Sequence, residues 1–370
     1  MKISTVTAEL AGCLETAEKA LPVRTTIPAT ANIHLAINSD KLVFSATNHE
    51  IMIKVSMGYQ GSESGAILLP PKIVDIVRYF PTPDINVDIN WDNFRLDITG
   101  GSARFHLYGS AADDFPISSL SKNDQSYDSF DLELNNFKKL LKEVVFAASN
   151  EETRPAFNGI LFSFKDDILT LTASDTYRLV VKKISDPSWS FYERKCLVPA
   201  KALREFLRIA GDGHTAVNVV YHESLLSMQF ANILFASRLL EEKYPDVSGV
   251  IPREYKTRVV INRKMLEDTV SRAALFAEGK NQAINIIVGN EKLEVRVHSQ
   301  EGSMEELLPA NQDGEEIDIY VNSRFVLDIL KVLDCEEIMI DFHGEEGPIV
   351  FRMVDDQGYL YLVLPIKKNS

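Results

Sequence analysis

The segment NNFKKLLKEVVFAASNEETRPAFNGILFSFKDDILTLTASDTYRLVV, Asn135 to Val181, decides the fold. Between Asn135 and Ala148, Phe137, Leu140, Leu141, Val144 and Val145 recur at helical spacing, and Lys138 and Lys142 sit four apart on the other side with Lys139 beside them. The residues that follow, GILFSF, ILTLTAS and YRLVVKK, alternate apolar and polar side chains as half-buried strands do. The unit predicted is a helix with its greasy face on a sheet and its basic face turned elsewhere.

The unit recurs. Leu68-Leu69-Pro70-Pro71-Lys72 and Leu197-Val198-Pro199-Ala200-Lys201 each introduce a helical stretch, and Pro70 and Pro199 are 129 residues apart. Phe115-Pro116 and Tyr244-Pro245 stand at the same 129-residue offset, and Phe44 to Asn48 matches Leu171 to Asp175 at 127. Ile319-Tyr320-Val321-Asn322 and the helix after it fill the same slot in a looser last third. Each third divides again into two halves of strand, helix and three strands. The six helices are expected at Thr7–Ala20, Pro71–Phe80, Asn135–Ala148, Ala200–Ala210, Asn262–Ala277 and Asn322–Leu333, the second opened by proline at its first position. Pro, Ser, Gly and Asp gather near Asp114–Asp128 and Val247–Thr257 and mark the links.

Composition narrows the function. At 370 residues, 45% hydrophobic and 25% charged, the chain has room for two or three globular domains. Cys13, Cys196 and Cys335 are too sparse for a disulfide framework or a zinc site and suit a reducing cytoplasm. Leu10-Ala11-Gly12-Cys13 imitates a lipoprotein cleavage box, but the residues before it carry Glu9 and no apolar core. No stretch approaches the roughly 18 apolar residues of a membrane span. The seven histidines are scattered, and Gly211-Asp212-Gly213 reads as a turn closing a helix. Asp113-Asp114 has no further ligands beside it, and Asp175-Tyr177-Arg178 comes without a nucleophile and base. No enzyme, metal or cofactor is expected.

The formal net charge is −14, but its distribution is uneven. The six helix windows hold 14 basic and 9 acidic residues, net +5, and the remainder holds 25 and 44, net −19. Lys201, Arg204 and Arg208 line up opposite Leu203, Phe206 and Leu207. A polyanion held against the helices accounts for this reversal of sign. Helices about 8–10 Å apart, closed around a duplex about 20 Å wide with a water layer, number roughly ten to fourteen. One chain supplies six, so two chains closing head to tail suffice. The alternative is a repeat-built scaffold that binds proteins only.

RPAFNGILF (Arg154 to Phe162), ASDTYRL (Ala173 to Leu179), SRLLEEKYPD (Ser237 to Asp246) and YLVLPI (Tyr361 to Ile366), with DDFP (Asp113 to Pro116) and RTTIPATANI (Arg24 to Ile33), make the whole chain resemble the bacterial sliding clamp family, the beta subunit of DNA polymerase III. The resemblance implies an α+β fold of three similar clamp domains in tandem, at 1–122, 123–252 and 253–370. Each domain has two β-α-β-β-β halves, helices inside and sheets outside, and the chain forms half of a closed ring. It implies a non-catalytic, cytoplasmic processivity factor. This is a head-to-tail homodimer that encircles double-stranded DNA without regard to sequence. Its partners are the DNA polymerase III alpha subunit, the clamp loader, other polymerases and repair proteins, held through a short linear motif.

Residue by residue, the family's partner pocket falls on Phe157, Ser174, Thr176, Tyr177, Arg178, Leu179, Pro245, Val250, Asn322, Phe325, Leu362, Leu364 and Ile366. They supply an apolar groove for a Leu and an aromatic side chain, with Arg178 and Asn322 to orient the peptide. DNA contacts are expected from Arg24, Arg78, Lys138, Lys142, Asn150, Lys201, Arg204, Arg208 and Arg272, with Arg154 beside them. The chain departs from the family in three places. Thr176-Tyr177 replaces the usual Gly-His, Glu241-Glu242-Lys243 replaces a Gly before the aromatic-Pro pair, and Lys367 to Ser370 extends the last strand.

Overall fold

The computed structural model describes residues 1–61, 63–116, 128–151, 153–189, 191–213, 215–279 and 281–367. The expected break at 122/123, His214 and the tail beyond Lys367 lie outside the described residues.

The doubled repeat is explicit in the order of elements. The first third runs β1 (Lys2–Val6), α1 (Thr7–Glu18), β2 (Ile33–Ile37), β3 (Lys41–Thr47), β4 (Ile51–Gly58), then β5 (Gly65–Leu69), α2 (Lys72–Arg78), β6 (Asp84–Asn90), β7 (Arg95–Gly100), β8 (Ala103–Tyr108). The middle third runs β9 (Asp128–Glu133), α3 (Leu134–Val145), β10 (Gly159–Asp166), β11 (Ile168–Ser174), β12 (Arg178–Ser185), then β13 (Phe191–Pro199), α4 (Ala200–Ile209), β14 (Ala216–Tyr221), β15 (Leu225–Phe230), β16 (Ile233–Arg238). The last third runs β17 (Thr257–Asn262), α5 (Arg263–Ala273), β18 (Ala283–Gly289), β19 (Lys292–His298), β20 (Ser303–Pro309), a short β21 (Asn311–Gly314), then β22 (Ile317–Asn322), α6 (Ser323–Val332), β23 (Glu337–Phe342), β24 (Ile349–Met353), β25 (Tyr359–Val363). All six expected helices form.

The helices are one to four residues shorter at an end than the apolar periodicity suggested, for identifiable reasons. Asn262 and Asn322 stand outside their helices as caps, their side chains accepting from Met265 N–H and Arg324 N–H. α5 stops at Ala273, and Leu275, inside the expected helix range, is 80% exposed. Among the described residues no helix is long and apolar enough to cross a membrane.

Two compact units are present. The first comprises Met1–Phe137 and Arg204–Leu239. It holds an eight-stranded sheet, β5-β2-β3-β4-β16-β15-β14-β9, and a four-stranded sheet, β1-β6-β7-β8. Leu10, Leu14 and Ala17 of α1 and Ile73, Val74 and Val77 of α2 are buried, and α1 packs on α2, β3 and β4. Phe206 meets Phe137, Phe230 and Phe235 edge to face at 5.4 to 5.7 Å.

The second unit comprises Lys138–Leu203 and Leu240–Ser370. Its nine-stranded sheet, β13-β10-β11-β12-β25-β24-β23-β17-β21, repeats the order of the first unit's large sheet strand for strand, with β21 added. Its four-stranded sheet is β20-β19-β18-β22, and α5 packs on α6. In each large sheet the central pairing joins different thirds of the chain: Ile51 faces Ser237 across β4 and β16, and Leu179 faces Leu362 across β12 and β25.

Candidate peptide groove and basic helix faces

The candidate groove is built on the turn between β11 and β12. Asp175 Oδ1 accepts from the N–H groups of Tyr177 and Arg178, both at 3.0 Å. Ser174 Oγ donates to Arg178 O at 2.7 Å and accepts from Thr176 N–H at 3.1 Å. This closes a tight turn in which Thr176 has φ +79°, a conformation a β-branched residue adopts only at a cost. Arg154 Nη1 donates to Thr176 Oγ1 at 2.9 Å. Glycine adopts a left-handed φ of this kind without that cost. The same turn recurs between β3 and β4, where Asn48 Oδ1 accepts from Glu50 and Ile51 N–H, and His49 has φ +72°.

Beyond the turn the apolar floor forms across strands. Leu179, Leu362, Leu360 and Val350 are one buried cluster, with Val247 and Ile251 packed against it. Val250, in the 3-10 turn Ser248–Val250, is 57% exposed. Tyr177 and Leu364 are exposed too, and they are joined where Leu364 N–H donates to Tyr177 O at 2.9 Å. Half-buried Phe157 lies edge-on to Tyr244, 5.6 Å between centroids, next to exposed Pro245. Ile366 N–H donates to Tyr320 O at 2.8 Å, which ties the last strand's continuation to β22. All thirteen expected groove residues therefore lie in one unit.

Two of them are used differently from the expectation. Arg178 is an internal bolt. Its Nε donates to Asp175 at 2.8 Å, Nη1 to Asp328 at 2.5 Å and Nη2 to Phe146 O at 2.9 Å. Its guanidinium lies 4.6 Å from the Phe325 ring centroid and 5.5 Å from that of Phe146. It orients the groove by holding β12 to α6, and Tyr361 OH, donating to Phe325 O at 3.0 Å, adds a second tie. Asn322 spends its side-chain oxygen on capping α6. Sequence reasoning missed Val247, Ile251, Val350 and Asp328. The first two were visible as isolated apolar residues inside a polar link. A second bolt was also unseen: Lys182 Nζ lies 3.1 Å from the buried Glu143 carboxylate and 2.5 Å from that of Asp356.

The basic residues are less uniform than their spacing suggested. Lys142, Lys201 and Arg208 are exposed, Arg204 is half-buried, and Arg24 and Asn150 are exposed on connecting segments. Lys138 is buried, a correction to its place on an outward basic face of α3. Arg78 is exposed but is met by Glu15, Glu18 and Asp75. Arg272 grips Glu306 with Nε at 2.9 Å and Nη2 at 2.5 Å, holding that carboxyl below its usual range. Arg208 shares its charge with Glu205 at 2.6 Å.

Comparison with known proteins bears on both features. Family models for the N-terminal, central and C-terminal domains of the DNA polymerase III beta subunit match residues 1–120, 131–246 and 248–367. The beta sliding clamp of Halalkalibacterium halodurans is 32% identical over 366 residues, covering 94% of this chain and 95% of that one. That of Staphylococcus epidermidis is 30% identical over 361 residues, 94% of each. The crystal structure of the DNA polymerase sliding clamp from Bacillus subtilis superposes with a TM-score of 0.93 at 28% identity, over 100% of this chain and 99% of that one. The beta subunit of Streptococcus pyogenes shares the fold, with a TM-score of 0.93 at 24% identity over the whole of both chains.

Proposed function

The chain belongs to the DNA polymerase III beta subunit family, the bacterial sliding clamps, and we propose that two copies close head to tail into a ring around duplex DNA. The ring tethers the replicative polymerase and other DNA-processing proteins and performs no chemistry of its own. Its cytoplasmic location and domain limits near 122 and 252 belong to the same reading.

The observation that carries it is at the sheet edges. In each large sheet the last strand of one half-repeat, β4 or β12, pairs with the last strand of another, β16 or β25. The remaining members of that series are β20 and β8, and each is an edge strand of a four-stranded sheet. Both edges carry exposed apolar side chains, Phe105 and Tyr108 on β8 and Leu307 on β20. β8 offers Arg104 and β20 offers Glu305. Since long exposed apolar edges are rarely left unpaired, β20 of one copy pairing with β8 of the next completes the series. That contact is heterologous and closes after two copies if the rotation fits.

The exposed Lys142, Lys201 and Arg208 supply sequence-independent phosphate contacts, with Arg24, Asn150 and Arg204 as further candidates. Arg78, Arg208 and Arg272 are engaged by neighbouring carboxylates and Lys138 is buried. The groove around Leu179 and Leu362 takes the linear motif of the polymerase alpha subunit, the clamp loader and repair proteins.

The test is topological. Loaded protein should stay on nicked circular DNA and leave it when the circle is linearised, and Leu307→Lys should run as a monomer in light scattering and lose retention. A stable wild-type monomer with equal retention on both DNA forms overturns the proposal.

A further inference from the structure

We propose that the peptide groove continues into a subsite that accepts an aspartate or glutamate side chain flanking the partner's hydrophobic motif. The inference rests on the groove reading above and adds to it a second determinant of specificity.

The continuity is in the register. Leu362 faces Val350, Val350 faces Asp341 and Asp341 faces Arg258, so one cross-strand row passes from the apolar floor into a charged cleft. Side chains directly opposed across an antiparallel sheet share a face. The wall is continuous as well: Ile251 packs on the floor and its neighbour Pro252 lines the cleft. At about 4.8 Å per strand, Asp341 lies roughly 10 Å from Leu362, a distance that about three extended peptide residues cover.

The cleft's chemistry is unbalanced. Asp341 is 3% exposed and receives two guanidinium groups. Arg258 grips it with Nε at 2.6 Å and Nη2 at 2.9 Å, and Arg352 reaches it with Nε at 3.3 Å. Arg258 is fixed further by stacking at 4.0 Å on Tyr255. Among the described residues Arg352 makes no other ion pair, and Arg253, also lining the cleft, makes none. His343 lines the same space, its Nδ1 2.8 Å from Pro348 O. One buried carboxylate thus faces more guanidinium than it neutralises, and the outer ends of Arg352 and Arg253 are placed to meet another. Glu254 at the rim and Asp313, which accepts from Tyr255 OH at 3.2 Å and acts on Arg258, offset part of this charge, so the cleft suits a monoanionic side chain rather than a phosphate dianion.

The experiment uses the full chain and fluorescein-labelled peptides carrying one Leu and one Phe, flanked three residues out, at either end, by Asp-Asp or by Gln-Gln. Binding is followed by anisotropy at low and high salt. At low salt the acidic flank at one end should tighten binding about three- to tenfold, the range for one or two partly exposed charge-assisted contacts, and the gain should shrink as salt screens it. Arg352→Gln and, separately, Arg253→Gln should remove most of the gain and leave the Gln-flanked peptide's affinity as it was. Arg253→Gln leaves the Arg258–Asp341 pair intact and guards against a folding effect. The protein's net charge of −14 makes the general field oppose an acidic peptide, so non-specific attraction predicts the opposite sign. Equal binding of the two peptides, or a gain that survives both substitutions, overturns the subsite and leaves the groove standing. Failure of both peptides to bind takes down the groove reading and the subsite with it.

Discussion

Replacing Arg178 by alanine tests whether the groove is held from inside. The substitution removes three charge-assisted hydrogen bonds, to Asp175, Asp328 and Phe146 O, and a cation stacked on Phe325. Breaking a buried pair costs about 3–5 kcal/mol and an exposed one less than about 1 kcal/mol. Asp328 is 42% exposed and belongs near the lower figure, whereas Asp175 is 16% exposed and Arg178 itself 11%. Asp175 keeps its two backbone donors, which limits the loss to about 2–4 kcal/mol in all. Lysine at 178 reaches one partner at a time and should recover about 1 kcal/mol of it. With two compact units, a single unfolding midpoint does not suffice. Hydrogen exchange on β12 and α6 under mild urea reads the local loss. A loss below about 1 kcal/mol for Arg178→Ala refutes the bolt. An Arg178/Asp328 double-mutant cycle should show a coupling of up to about 1 kcal/mol, as suits a half-exposed partner, and no coupling at all removes the ionic tie to α6.

Three further outcomes are expected. Thr176→Gly relieves a left-handed φ of +79° and should exceed Thr176→Ala in stability by about 1 kcal/mol in urea titrations. His34, buried and stacked on Phe115 at 4.9 Å, has its pKa pushed down from 6.5 to about 4, chiefly by burial and then by Lys54. The unfolded chain therefore binds the extra proton between those values, so stability present at neutral pH falls by up to about 3 kcal/mol as pH drops from 6.5 to 4. His34→Leu, the residue the next repeat carries at Leu161, should flatten that part of a stability-against-pH curve. Alanine at Lys201, Arg204 and Arg208 together should weaken binding to primed duplex and reduce the slope of log K against log salt by roughly 2–3, about 0.9 for each phosphate no longer neutralised.

The six helices and their apolar sides were legible in the sequence because each depends on neighbours three or four residues away, and the repeat because its landmarks recur at nearly one long offset. Lys138 shows the limit of that reading. It sits two turns before Val145 and so on nearly the same side, and its charge concealed an apolar position. Asn262 and Asn322 belonged to the helical periodicity but serve as caps, a difference of one residue that spacing does not resolve. Arg178 and Asp328 are 150 residues apart, as Lys182 and Asp356 are 174 apart, and no local pattern announces such partners. The groove residues were placed by resemblance, but what each side chain does there came only from geometry.

The pairing of β12 with β25 also sets a timetable for the nascent chain. Leu179 and the Leu362 it faces are 183 residues apart in a chain read from one end. At about 5–20 residues per second, the ribosome leaves β12 without its neighbour for roughly 10–40 s. β4 waits as long for β16. During that interval each half-made sheet shows an open apolar flank, so newly synthesised chains crowded on one messenger are more at risk of sticking to each other than the finished protein ever is.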